Sequence, residues 1–334
     1  MLESELSRLL NLQGKKAKLF LANKPYESPS EPFCLRPLND KSGKQKSINL
    51  RFTSQLTNSD AVLVPYDLSY WYKDKAYIAY LKSLAEKKKL VVLNTGDFIS
   101  KIKKIENVIY LRPFLNPGER SPNTIIVPYE IDPMITARSF NPKFNISFMG
   151  YMPRIFSTRL LYALKNSFWY PVKGNGSIVR EIMARKVKKT NLPLTLVARK
   201  TFSGWSRDKS VNTLNRRSEF FNSVRDSRYV ICPRGDGNQS LRFYETLSAG
   251  RVPILIDTKI KLPLGDRLNY SKITITLNLY DSIDVWRREI LDFESLYKGT
   301  KFKKLSHEIS EFYDQNLLMY NFYKNLFIDF LVEV

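Results

Sequence analysis

Between Tyr229 and Ile256 the chain reads Tyr-Val-Ile-Cys-Pro-Arg-Gly-Asp-Gly-Asn-Gln-Ser-Leu-Arg-Phe-Tyr-Glu-Thr-Leu-Ser-Ala-Gly-Arg-Val-Pro-Ile-Leu-Ile, a concentration of residue types suited to a phosphorylated ligand. An apolar run ends at Cys232, and a polar loop follows with Arg234, Gly235, Asp236, Gly237 and Asn238. Glycines there admit backbone geometries and close approaches that a side chain would block. Gln239 or Ser240 can cap the helix that should begin next. The free N–H groups of a helix that starts at the end of a parallel strand are a ready anion site. Arg242 and Glu245 are three apart and share a helix face. A guanidinium suits bidentate contact with a diphosphate, and a carboxylate suits the two hydroxyls of a ribose. The same spacing also describes an ordinary surface Arg–Glu pair, and both readings stand at this point. Gly250 suits a helix C-terminus. The loop is neither a P-loop nor a G-x-G-x-x-G turn, because Gly235-Asp236-Gly237 lacks the third glycine.

Such a loop needs a sheet beneath it. Apolar runs at Lys18–Ala22, Asp60–Pro65, Leu90–Leu93, Asn107–Arg112 and Asn123–Val127 read as strands, with helices over residues 1–12 and Lys75–Lys88. Residues 23–48, rich in proline and polar residues, read as a long loop. A second cycle follows with strands at Asn145–Gly150, Leu194–Val197, Tyr229–Cys232, Val252–Ile256 and Ile273–Thr276. Its helices are expected at Arg154–Asn166, Arg217–Asp226, Ser240–Ala249, Asp284–Phe293 and from about Leu305 to Phe330. Strand and helix alternate, so the fold class is α/β with parallel sheets in two sets, hinged near Arg138–Lys143. The expected division is 1–140, 141–304, and a C-terminal helical stretch 305–334 that packs back on the first domain.

Lys plus Arg total 54 against 32 Asp plus Glu, a net charge of +22, and such a surface attracts polyanions. Nucleic acid, anionic membrane, acidic polysaccharide and phosphorylated substrates all qualify, and a Lys-rich host proteome gives the same balance. The basic residues are dispersed, with no helix-turn-helix, zinc-finger or aromatic RNA-binding pattern, so specific nucleic-acid recognition is not expected. With one histidine and two cysteines, Cys34 and Cys232, a zinc site of the His/Cys type is nearly excluded. His307 reads as a surface residue. Neither a signal peptide nor a membrane-spanning run is expected, which points to a soluble cytoplasmic protein or one peripheral on an anionic membrane. Tyr66, Tyr70, Trp71, Tyr72, Tyr77 and Tyr80 crowd one stretch; they suit a sugar platform, but more often such rings are core.

The string Cys232-Pro-Arg-Gly, then Ser240-x-Arg242-x-x-Glu245-x-Leu247-x-x-Gly250-x-Val252-Pro253-Ile254, closely resembles the signature of exostosin-family glycosyltransferases. Asp60–Pro65, Thr124–Tyr129 and Ser147–Gly150, the last with Arg154 and Arg159 downstream, resemble further elements of that family. The resemblance implies a GT-B architecture, with two Rossmann-like domains facing a cleft. The second would hold a nucleotide sugar, usually UDP-linked, and the first a glycan, polysaccharide or lipid-linked acceptor. It implies donor contacts from Arg154, Arg159, Arg234, Gly235, Gly237, Asn238, Ser240, Arg242 and Glu245. It also implies inversion at the anomeric carbon without metal or resident cofactor, so positive side chains and a helix dipole must offset the leaving diphosphate. Inversion needs a base, and a carboxylate is the expected one. Asp97 is the first choice, with Asp67 and Asp236 as alternatives. A basic polyanion-binding protein and an inactive transferase relative are the competing readings.

Overall fold

A computed structural model of the chain describes residues 5–12, 17–23, 38–40, 44–46, 48, 50–71, 73–95, 105–117, 119, 122–139, 141–152, 176–199, 213–235 and 237–328. It divides into two units. One comprises Met1–Leu115, Glu119–Glu130 and Gln315–Val334, and the other Asn116–Gly118 and Ile131–Asp314. The crossings thus fall at 130 and 314, where the sequence reading puts 140 and 304. Side chains explain the shift. The Met134 amide donates to Ser248 Oγ (3.0 Å), and Arg138 donates to Ser248 O (2.8 Å) and, through both terminal nitrogens, to Asp314 (2.9 Å each). Residues on both sides of the expected boundaries are therefore bound into the second unit.

The first unit has strands β1 (Leu19–Leu21), β2 (Leu38–Asn39), β3 (Gln45–Lys46), β4 (Phe52–Thr53), β5 (Ala61–Val64), β6 (Leu90–Leu93), β7 (Val108–Arg112) and β8 (Thr124–Ile126). Six form a parallel sheet in the order β4-β1-β5-β6-β7-β8. Its central strands, Ala-Val-Leu-Val and Leu-Val-Val-Leu, are buried at every residue, as expected for a parallel sheet covered on both faces. Helices α1 (Glu5–Leu10), α2 (Leu68–Trp71) and α3 (Lys75–Ala85) accompany it. The Asp74 carboxylate caps α3 by accepting from the Tyr77 amide (3.0 Å). Tyr77 is buried in the core of this unit and Trp71 and Tyr80 pack against it, so these rings are core rather than sugar platform. Tyr72 lies outside the described residues, as does the side chain of Tyr70. Within the expected long loop, β2 and β3 pair as a short hairpin. Asp40 closes it by accepting from the Lys44 amide (2.8 Å) and pairing with Lys46 (3.3 Å).

The second unit has strands β9 (Ile146–Tyr151), β10 (Leu194–Arg199), β11 (Tyr229–Cys232), β12 (Val252–Asp257) and β13 (Ile275–Asn278), all parallel, in the order β10-β9-β11-β12-β13. Its helices are α4 (Gly176–Lys189), α5 (Thr213–Arg225), α6 (Leu241–Ser248), α7 (Ile283–Leu296) and α8 (Thr300–Asn316); α9 (Met319–Leu326) belongs to the first unit. The expected helix at Arg154–Asn166 lies outside the described residues. A buried network anchors α7: Glu294 accepts from Tyr229 Oη (2.5 Å) and from Arg228 (2.7 Å). The protein is therefore mixed α/β with two parallel sheets. Among the described residues no helix is long and apolar enough to cross a membrane.

Candidate functional site

In the second unit the chain runs from β9 outward to β10, then returns to lay β11 on the other side of β9. Connections leave in opposite directions at this point, and open α/β sheets bind ligands in the crevice outside the strand ends there. The register shows the strands parting. β9 pairs with β10 over six residues but with β11 only at Ile146↔Tyr229 and Ser147↔Val230. Beyond Ser147 the two strands diverge, and carbonyls on that side of β9 need other partners.

Arg242 supplies one. From the first turn of α6 its Nη2 donates to Met149 O (2.7 Å), with the guanidinium 4.8 Å from the centre of the Phe148 ring and 5.4 Å from that of Phe220. A Cβ on Gly150 would lie 2.9 Å from Arg242 Nη2, so a side chain there would have to displace the guanidinium. Desolvation pulls the Arg242 guanidinium below its ordinary value, opposed by Cys232 and Glu245, yet an arginine stays charged. Arg180, on α4, donates to Tyr151 O (3.3 Å). Arg199, at the end of β10, donates to Met149 Sδ, Arg216 O and Glu219 (2.9 Å each). Arg217, on α5, pairs with Glu245. Arg180, Arg199, Arg217 and Arg242 therefore gather round the crevice against the carboxylates Glu219 and Glu245, an excess of positive charge.

The loop between β11 and α6 forms the floor. The Gly235 amide donates to Gln239 O (2.9 Å), and Asn238, fully buried, accepts from Thr258 Oγ1 (2.6 Å) and donates to Lys259 O (3.4 Å). Asn238 thus ties the loop to the end of β12. Arg234 is 2% exposed, and Gly237 is buried. Ser240 stands at the N-cap of α6, and its hydroxyl makes no cap bond; the Phe243 amide donates to Ser240 O (3.0 Å), so the first turn is closed by the backbone alone. A close approach does exist here, at a glycine the sequence reading passed over. A Cβ on Gly176, at the start of α4, would lie 2.4 Å from Gly235 O and 2.9 Å from Arg234 O.

Arg234, Gly235, Gly237, Asn238, Ser240, Arg242 and Glu245 are thus brought to one loop and helix, though Asn238 faces the sheet and Arg242 a strand carbonyl. Arg154, Arg159, Asp97 and Asp236 lie outside the described residues. Asp67, in the first unit, accepts from the Thr95 amide (3.1 Å) and from Thr95 Oγ1, which joins the ends of β5 and β6. His307 is exposed on α8, 3.4 Å from Glu311. Among the described residues no group of three His, Cys, Asp or Glu is placed to hold a metal ion. Arg180, Arg199 and Arg217 were not singled out by sequence. They come from three separate elements, and no local spacing links them.

Residues 172–290 match the exostosin GT47 domain model. A stretch of 88 residues is 32% identical to the probable glycosyltransferase At3g07620 of Arabidopsis thaliana, covering 25% of this chain and 18% of that protein. The chain therefore aligns with less than a fifth of that relative's length. Among solved structures it resembles TarM (TM-score 0.36, 15% identity, 76% of this chain and 46% of that one). It also resembles a glycosyltransferase from Rickettsia africae ESF-5 (0.36, 12%, 80% and 69%) and the GtfA/B complex (0.37, 11%, 88% and 67%). A parallel α/β unit with a basic crevice at its switch point is of the class that binds ligands outside the strand ends. More narrowly, residues 172–290 are similar to a glycosyltransferase domain of the exostosin family, GT47.

Proposed function

We propose that the protein is an inverting glycosyltransferase that takes a sugar from a nucleotide donor, UDP-linked by the family resemblance, bound in the crevice between β9 and β11. The acceptor is a glycan, polysaccharide or lipid-linked oligosaccharide, met in the cytoplasm or at an anionic membrane surface. The observation that carries this reading is the parting of β9 from β11 beyond Ser147, with guanidinium groups and an uncapped helix start around the opening. Such groups favour a diphosphate and offset its charge as it leaves, with no metal or cofactor required. The acceptor proton passes to a carboxylate. Asp97 is the first candidate, Asp236 another, and Asp67 a third, already engaged by Thr95.

Calorimetry with UDP, GDP and CMP in the presence of a chelator tests the donor site. UDP binds the wild type, and Glu245→Gln weakens it at least about tenfold, because a hydrogen bond to a charged group contributes about 1.5–3 kcal/mol. A folded wild type that binds no nucleotide yet retains DNA in a strongly salt-dependent way would overturn the reading in favour of a polyanion-binding protein.

A further inference from the structure

Glu245 is 8% exposed, and a carboxylate so far from water must have a partner. The i, i+3 spacing offers Arg242, but that guanidinium is committed to Met149 O and the Phe148 ring. The partner is Arg217, from a different helix, which binds Glu245 Oε1. Arg217 is itself braced. Its guanidinium lies 4.7 Å from the centre of the Phe221 ring and 5.6 Å from that of Phe220, the ring that also meets Arg242. Among the described residues no donor reaches Glu245 Oε2. The carboxylate is thus held at one oxygen and open at the other.

We infer that Arg217 is the positioning residue of the donor site: it fixes Glu245 through Oε1 so that Oε2 accepts from the hydroxyls of the donor's ribose. The inference rests on the nucleotide-sugar reading of the crevice. Bonds that Oε2 accepts belong to a carboxylate already paired with a guanidinium and are charge-assisted. The pairing also removes the rotational freedom that the ribose would otherwise have to quench. Arg217 is then an indirect contributor: its loss costs ribose recognition and leaves phosphate recognition intact.

Calorimetry of the wild type, Arg217→Ala, Arg217→Lys, Glu245→Gln and the Arg217→Ala/Glu245→Gln double variant, with UDP and with uridine, tests this. Arg217→Ala should weaken UDP and uridine by the same factor, about tenfold. Arg217→Lys, which keeps the charge and loses the planar fork, should recover part of the loss. In the Glu245→Gln background Arg217→Ala should cost less than about twofold, since coupled residues do not add. Loss of UDP affinity with uridine unchanged would overturn the inference and make Arg217 a phosphate contact. Additive losses in the double variant, or no loss in Arg217→Ala, would overturn it too. If Arg217→Ala does not fold, the lysine variant carries the comparison. A folded wild type that binds neither probe brings down the nucleotide reading itself, whatever the variants do.

Discussion

Arg242 carries out a structural task at the place where a ligand is expected. Its Nη2 satisfies Met149 O where β9 has left β11, and its plane covers Phe148. Truncation strands a strand carbonyl and removes the ring contact together. Arg242→Ala should therefore lower stability by about 1–3 kcal/mol in urea unfolding, with Arg242→Lys losing less. Nucleotide affinity measured on the alanine variant would mix the two effects, so Glu245→Gln is the cleaner probe. The residue types in this segment were legible from their spacing alone, and so was the positive φ of Gly250, at 67°. The partnership was not legible. Arg217 reaches Glu245 across 28 positions of sequence, and only packing of α5 beside α6 brings them together. Gly235 and Gly237 were the glycines expected to admit unusual backbone geometry and close approach; within the chain itself a Cβ on Gly235 would meet only Gln239 O, at 3.7 Å. The tight position is Gly176, whose neighbours come from a distant loop.

Among the elements, α6 and its flanking strands follow their sequence boundaries closely, because an amphipathic run and a terminal glycine agree there. Helix α4 was missed. Its buried residues Val179, Met183, Ala184 and Val187 have helical spacing, but the lysines and arginines between them mask the pattern. Strand β4 was missed because two residues give no periodicity. The join between α4 and the loop after β11 gives a prediction at this scale. Gly176→Ala puts a methyl group 2.4 Å from Gly235 O, a backbone atom that can yield only if the loop moves. The variant should keep its far-ultraviolet circular dichroism and lose UDP affinity by about tenfold or more, since sub-ångström misplacement of a site is costly. Unchanged affinity would mean that this loop takes no part in binding.

The whole molecule carries a net charge of +22, and its core holds several acids that must stay neutral. Burial pushes the Cys232 thiol up to about 12 from its ordinary 9.0, and raises Tyr77, Tyr229 and Tyr313 above their ordinary 10.0. In each case the unfolded chain releases its proton first. Their contribution is whole below the ordinary values and is lost as pH rises through the folded ones. Arg251, pulled down to about 10 from 12.5, and Arg242, lowered from the same value, act with the opposite sign but are two groups against more. Urea unfolding should show little change between about pH 7 and 8.5, then a loss that begins near pH 9 and steepens above pH 10, with each shifted group worth at most about 1.4 kcal/mol per pH unit. A flat profile to pH 11 would mean that these groups meet water in the folded state.

The first unit draws on residues 315–334 as well as on 1–130, and α9 packs against β2 within it. A ribosome makes the chain in order, so the opening unit waits for the closing segment before it is whole. The second unit, almost continuous in sequence, can mature while the earlier strands are still short of a helix. The order of completion on the ribosome is thus reversed relative to the order of synthesis. Until the closing segment emerges, the β2–β3 hairpin lacks the helix that packs on it, and that stretch is the part of the nascent chain most dependent on chaperones or on speed.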